Sequence, residues 1–200
     1  MLRSVPTRAR VTPRLELRPF RRRDIDPMVE AVEESWQDLA AWLPWAHAGY
    51  GRPEAARFVR DSAAAWSEGR AYDLAIRGSD LPGHLGNISI WPLSRRERSG
   101  EVGYWVRSSA AGHGIGTEAA ARILQMGFEE LRMHRITLRI AAGNRASERI
   151  AEKLGFVREG LLRREVHVHG VWMDHGLWAL LEDEYRTEHT RWVDRGWLEP

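Results

Sequence analysis

The chain has 200 residues, a formal net charge of +2 and no cysteine. That length fits one domain with a substantial core. A balance so close to neutral gives no general case for nucleic-acid binding, and the missing thiol excludes disulfides, thiolate metal sites and an acyl-enzyme on sulfur.

Residues 1–14 read as a flexible basic arm, with Pro6, Pro13 and few apolar residues. The arm lacks the apolar stretch of a secretory signal, and no run approaches the roughly 18 residues of a membrane span. Cytoplasmic residence and no membrane partner are therefore expected. Leu15–Arg18 alternates and predicts a first strand. Asp24 or Asp26 can cap a helix with Pro27 in its first turn and Met28, Val29 and Val32 on its apolar side. A tryptophan-rich stretch follows, broken by Pro44, Gly49, Gly51 and Pro53. Trp36, Trp42 and Trp45 suit either core packing or the wall of a substrate cleft. A second helix is predicted over about Glu54–Ser67.

Three strands come next: Tyr72–Arg77, Leu85–Trp91 and Glu101–Arg107. A helix is predicted from Ile115 to Leu131 and a strand over Arg135–Ile140, with Ile136, Leu138 and Ile140 inward and Thr137 and Arg139 outward. Asn144 starts a helix that Gly155 ends. Two last strands join through His169-Gly170, a two-residue hairpin turn. The tail after Glu182 can be helical, with Tyr185, Trp192 and Trp197 as anchors. No repeat or linker divides the chain, so the order of elements predicts one mixed α/β domain.

The segment SSAAGHGIGTEAAARIL follows a strand and opens a helix. Gly112, Gly114 and Gly116 allow positive φ and close approach of a ligand. The amides of His113, Ile115 and Thr117 and of the glycines between them would converge at the positive end of the helix, where a pyrophosphate binds. The loop has neither the Gly-Lys-Ser/Thr of a nucleotide P-loop nor the full GxGxxG spacing, since position 119 is Ala.

These residues resemble the GNAT acetyltransferase superfamily. Its acetyl-coenzyme A loop, Gln/Arg-x-x-Gly-x-Gly/Ala, corresponds to Ala111 through Gly116, with Ala111 departing from the first position. EVGYWV (Glu101–Val106) resembles the family's fourth strand, NRASERIAEKLGF (Asn144–Phe156) its Asn-x-x-Ser…Gly-Phe helix, and His169–Tyr185 its closing hairpin. With SWQDLAAWLPWA near the front, the chain is similar to the RimJ/RimL branch, which includes enzymes that acetylate protein α-amino groups.

The resemblance implies an α/β (α+β) fold. Its mixed, mostly antiparallel sheet would have about seven strands, splayed between the fourth and the fifth and flanked by about four helices. It spans residues 15–185, leaving 186–200 as a C-terminal extension. Acetyl-CoA is the implied cosubstrate, with no metal, and a homodimer is compatible with it. Backbone groups of Tyr104, Trp105 and Val106 would pair with the pantetheine arm, and Asn144 would bind its amide, although plain helix capping also accounts for Asn144. An amide near Trp105 or Val106 is the implied oxyanion donor.

The chemistry needs a base for the amine, polarisation of the thioester carbonyl and a proton for the thiolate. Glu101, at the start of the thioester strand, is the candidate base, directly or through a water. Ser147, one turn after Asn144, is the candidate acid. Many family members use a tyrosine further along this helix; here that position is Ala151. His167 and His169, with His175 nearby, make a metal site conceivable, but no second-shell pattern supports one. The acceptor is expected to be a primary amine, possibly a protein N-terminus. A small-molecule amine is the rival, and a coenzyme A-binding module without turnover is the rival of another class.

Overall fold

A computed structural model describes residues 5–199. Eight strands form one sheet in the order β1-β2-β3-β4-β5-β6-β8-β7. They are β1 (Arg10–Val11), β2 (Leu15–Pro19), β3 (Tyr72–Gly78), β4 (Gly86–Ser94), β5 (Ser99–Val106), β6 (Arg135–Ala141), β7 (Val157–Val168) and β8 (Val171–Leu181). Only the β5–β6 pair is parallel. The helices are α1 (Ile25–Ala40), α2 (Arg52–Glu68), α3 (Ile115–Gln125), α4 (Arg145–Lys153) and α5 (Glu182–Asp194). Mixed α/β with a mostly antiparallel sheet is as expected; the additional strand is β1.

One face of the sheet packs chiefly against α3 and α5 around Ile76, Ile90, Ile123, Phe128, Ile136 and Trp192. The other packs against α1 and α2 around Met28, Val32, Val59 and Trp105. Because both faces are covered, alternation along β6 does not separate core from solvent. Thr137, expected outward, is buried and donates to Gly100 O at 3.2 Å. The hairpin turn at His169-Gly170 is borne out, with φ of +44° and +92°.

Two elements differ from the sequence reading. The helix expected over Ile115–Leu131 is α-helical only to Gln125 and then widens into a π-turn over Met126–Glu130. Gly127 explains why: a Cβ there would come within 2.7 Å of the side chains of Ile136 and Ile90, so the backbone itself lies on the sheet. The stretch read as an arm is not free from residue 5 onward. Arg10 is buried, its guanidinium donating to Glu130 Oε2 at 2.8 Å and lying over the Trp66 ring. Residues 1–4, the rest of that stretch, lie outside the described residues.

The splay is directly visible. β5 pairs with β6 only at Ser99–Glu101, against Arg135–Thr137. Beyond Glu101 the two strands separate, and the rest of β5 lacks a partner on that side.

Candidate active site

The glycine loop forms as its residue types require. Gly112 and Gly114 have φ of +80° and +81°, and Gly114 is the residue before α3. Glu118, in the first turn of α3, fixes the loop from behind. Its carboxylate is fully buried and accepts from Thr12 Oγ1 (2.5 Å), the Arg14 amide (3.1 Å) and Arg14 Nε (2.7 Å). Arg14 also donates to His113 O at 3.1 Å. Thr12 and Arg14 belong to the stretch read as an arm, so the beginning of the chain buttresses the loop.

A cavity of about 460 Å³ opens in front of the loop. Its lining brings together Tyr104, Trp105 and Val106, Gly112, Gly114, Ile115, Gly116 and Thr117, and Asn144 and Ser147. His113 is outside the lining, its side chain exposed. Asn144 Oδ1 caps α4 by accepting from Ser147 N at 3.1 Å, and the residue also lines the cavity.

One backbone assignment needs correction. Arg107 N donates to Leu85 O, and Trp105 O lies where a Cβ on Gly86 would sit, so Trp105 turns its backbone toward β4. Alternation then aims the peptide groups of Tyr104 and Val106 into the splay. The Trp105 ring packs beside those of Trp45 and His84.

Sequence reasoning missed two cations and a phenol. Arg149 and Lys153, four residues apart on one face of α4, line the cavity; that spacing was the available signal. Lys153 is the only lysine in the chain. The Tyr104 hydroxyl is buried without a hydrogen-bond partner. Burial pushes its pKa up to about 12 against a smaller downward pull from neighbouring Ser147. A phenol therefore stands beside Ser147, although the helix position where the family often carries one is Ala151.

A second cavity, of about 510 Å³, lies between α1, α2 and the outer halves of β4 and β5. Trp45, Phe58 and Trp91 supply apolar wall, Asn87 and Ser89 polar wall, and Glu54, Arg57 and Asp61 line it from α2. Trp45 thus walls a cleft, whereas Trp42 lines the cavity at the glycine loop. Leu43, Tyr104 and Trp105 line both cavities, and so mark where the two meet. A larger groove, about 920 Å³, between residues 5–7, α2 and the β4–β5 turn holds none of the sequence-predicted site residues.

Glu101 lines neither cavity. It shares a strand face with Gly103 and is paired with Trp91, both of which line the second cavity. Its carboxylate accepts from Arg139 Nε at 2.9 and 3.0 Å, and Arg139 NH1 also donates to Glu165 at 2.7 Å. Burial raises the Glu101 pKa above the usual carboxylate value, with Arg139 opposing. Among the described residues no cluster of three metal-ligating side chains occurs, and no helix is long and apolar enough to cross a membrane.

Residues 14–157 match the family model described as "Acetyltransferase (GNAT) domain". The chain is 30% identical over 182 residues to a "Putative ribosomal N-acetyltransferase YdaF" of Bacillus subtilis, covering 90% of this chain and 97% of that one. It is 22% identical to the "Ribosomal-protein-serine acetyltransferase" of Escherichia coli, covering 87% and 96%. Among solved structures it superposes on Mycobacterium smegmatis RimJ in complex with CoA-disulfide with a TM-score of 0.83. The identity is 29%, covering 91% of this chain and 89% of that one.

Proposed function

Because this chain belongs to the GNAT acetyltransferase family, in its RimJ/RimL-like branch, and is an acyltransferase, we propose that it moves the acetyl group of acetyl-CoA to a protein or peptide α-amine. The observation that carries this reading is the pair of cavities meeting at Leu43, Tyr104 and Trp105. The glycine loop and the cations in one suit a phosphate-bearing donor, and the other has room for an amine. The word "ribosomal" in the names of the B. subtilis and E. coli relatives supports a protein acceptor. In this reading the acetyltransferase domain, expected over residues 15–185, also takes in β1, Thr12 and Arg14 at its start and α5 at its end, and acts in the cytoplasm.

The roles follow from placement. The amides after Gly114, at the positive end of α3, hold the pyrophosphate, and Arg149 and Lys153 add cationic side chains. Tyr104 and Val106 offer backbone partners along the splay, and Asn144 offers its amide. An outward amide of β5 polarises the carbonyl as negative charge develops on oxygen. Glu101 takes the amine proton through a water, and Ser147, with the Tyr104 hydroxyl beside it, meets the departing sulfur.

Gly114→Val would put a β-branched residue at a φ of +81°, where the side chain also crowds Arg14 NH2. A valine lets the free loop relax out of that shape, and regaining it on binding, at ~1–3 kcal/mol, predicts acetyl-CoA affinity lowered about tenfold or more. Calorimetry on the folded variant reads this, and unchanged affinity would remove the loop from the donor site.

With no cysteine to carry the acetyl group, transfer should be direct. Initial rates with both substrates varied should give intersecting reciprocal plots. Parallel lines or an isolable acetyl-enzyme would refute this. Thiol release measured across peptides, polyamines and amino acids tests the acceptor. Turnover confined to small amines would replace the peptide reading with the small-molecule one, and no turnover with intact binding would make the chain a coenzyme A-binding module.

A further inference from the structure

The wall of the second cavity contains a polar pair that the roles above leave unused. Asn87 lies on β4, is buried, and pairs across to Trp105, one of the three residues shared by both cavities. Directly opposed residues on neighbouring antiparallel strands have Cβ atoms ~5 Å apart, so Asn87 stands one side chain from the junction. Behind it His84 is wholly buried between Phe20 and Trp105. His84 Nε2 lies 2.6 Å from Asn87 Oδ1. An amide oxygen cannot donate, so Nε2 carries the proton and donates to Asn87. His84 Nδ1 is left as a bare lone pair with no partner.

This bond fixes which way the Asn87 amide faces. With Oδ1 committed to His84, the amide nitrogen turns away from it. One of its N–H groups has only the Met28 sulfur nearby, at 3.8 Å, a weak acceptor. Met28 and Asn87 both line the cavity, so the amide nitrogen stands at that wall as a buried, oriented donor. The carboxylates of the same cavity come from α2. The Asp61 side chain is 61% exposed, and Glu54 is engaged by the Gly51 amide and His47. A cavity selecting a polyamine would need free acceptors in its wall. Here the buried amide on the strand beside the junction is a donor, which suits an oxygen beside the reactive amine.

Resting on the peptide α-amine reading above, we propose that the Asn87 amide, held by His84, donates a hydrogen bond to the carbonyl oxygen of the acceptor's first residue. Asn87 thereby selects amines that sit next to a carbonyl over plain alkyl amines. Asn87 is a contact residue in this scheme, and His84 is a positioning residue that acts through it.

The test compares an alanyl peptide with its analogue in which the first carbonyl is replaced by methylene. Both are assayed as acceptors with wild type, Asn87→Leu and His84→Phe. Wild type should favour the peptide by about 10- to 100-fold in kcat/KM, the range expected when a buried donor loses its acceptor. In Asn87→Leu the ratio should fall by that factor, to what the different proton affinities of the two amines alone would give. In His84→Phe it should fall partway, mostly through KM for the peptide, because the amide is present but no longer aimed. Should Asn87→Leu not fold, Asn87→Asp keeps an acceptor for His84 and removes the donor, and it should also abolish the preference. A ratio retained in the Asn87 variants, or absent in wild type, overturns the inference while leaving peptide acetylation standing. Failure of wild type to acetylate any peptide, with acetyl-CoA still bound, overturns the peptide reading itself.

Discussion

Glu101→Gln should lower turnover by about 10²-fold near neutral pH, the usual scale for a lost general base. The glutamine has nearly the same shape and keeps an oxygen for the Arg139 Nε, so the fold should survive. An amine arrives mostly as ammonium at neutral pH and cannot attack until it loses a proton. The Glu101 carboxylate, its affinity for protons raised by burial, is suited to take that proton through a bridging water. At high pH more substrate arrives deprotonated, so the defect should shrink. A pH–rate profile for variant and wild type, with circular dichroism as the fold control, checks this. Superimposable profiles would leave Glu101 as the partner of Arg139 and nothing more.

Acid should destabilise this protein in a window set by His84. Burial holds its pKa at about 4, against its ordinary 6.5. The Asn87 bond and the nearby Asp24 carboxylate push the other way, while Arg77 and Arg18 add to the lowering. Between those two values the unfolded chain binds a proton that the folded chain does not. Stability therefore rises with pH across that window and is lost on acidification from 6.5 toward 4. A shift of this size corresponds to about 3 kcal/mol. Asp24 extends the loss to lower pH. Burial alone would raise its pKa, but Arg18 and the Arg21 amide hold it below 3.8, so its contribution is present above that value and fades beneath it. Urea unfolding at a series of pH values gives the slope. His84→Gln keeps a donor for Asn87 without the titration and should flatten the curve between pH 6.5 and 4; an unchanged slope would assign the acid sensitivity elsewhere.

What could be read from the sequence was what is local along the chain. Three alternating glycines after a strand, and an asparagine at the start of a helix, are each patterns of adjacent residues, and the structure gathers them at one cavity. The second cavity was not legible. Asn87 and Gly103 become neighbours of Trp45 and Phe58 only when β4, β5, α1 and α2 come together, and no spacing rule encodes that. Trp105 was misread because strand alternation governs the backbone as well as the side chain, and its phase is set by a bond to Leu85. Thr12 and Arg14 looked unstructured because their partner, Glu118, lies 106 and 104 residues away.

That separation also has a meaning in time. A growing polypeptide releases Thr12 and Arg14 early, yet the carboxylate they donate to, Glu118, emerges more than a hundred residues later. Contacts of such long range carry a large loop-closure cost and form late. The glycine loop is thus fixed in place only after more than half of the chain has been made. A nascent chain stalled before α3 possesses the buttress without the loop, and a mature chain clipped after Arg14 possesses the loop with a buried carboxylate stripped of its donors.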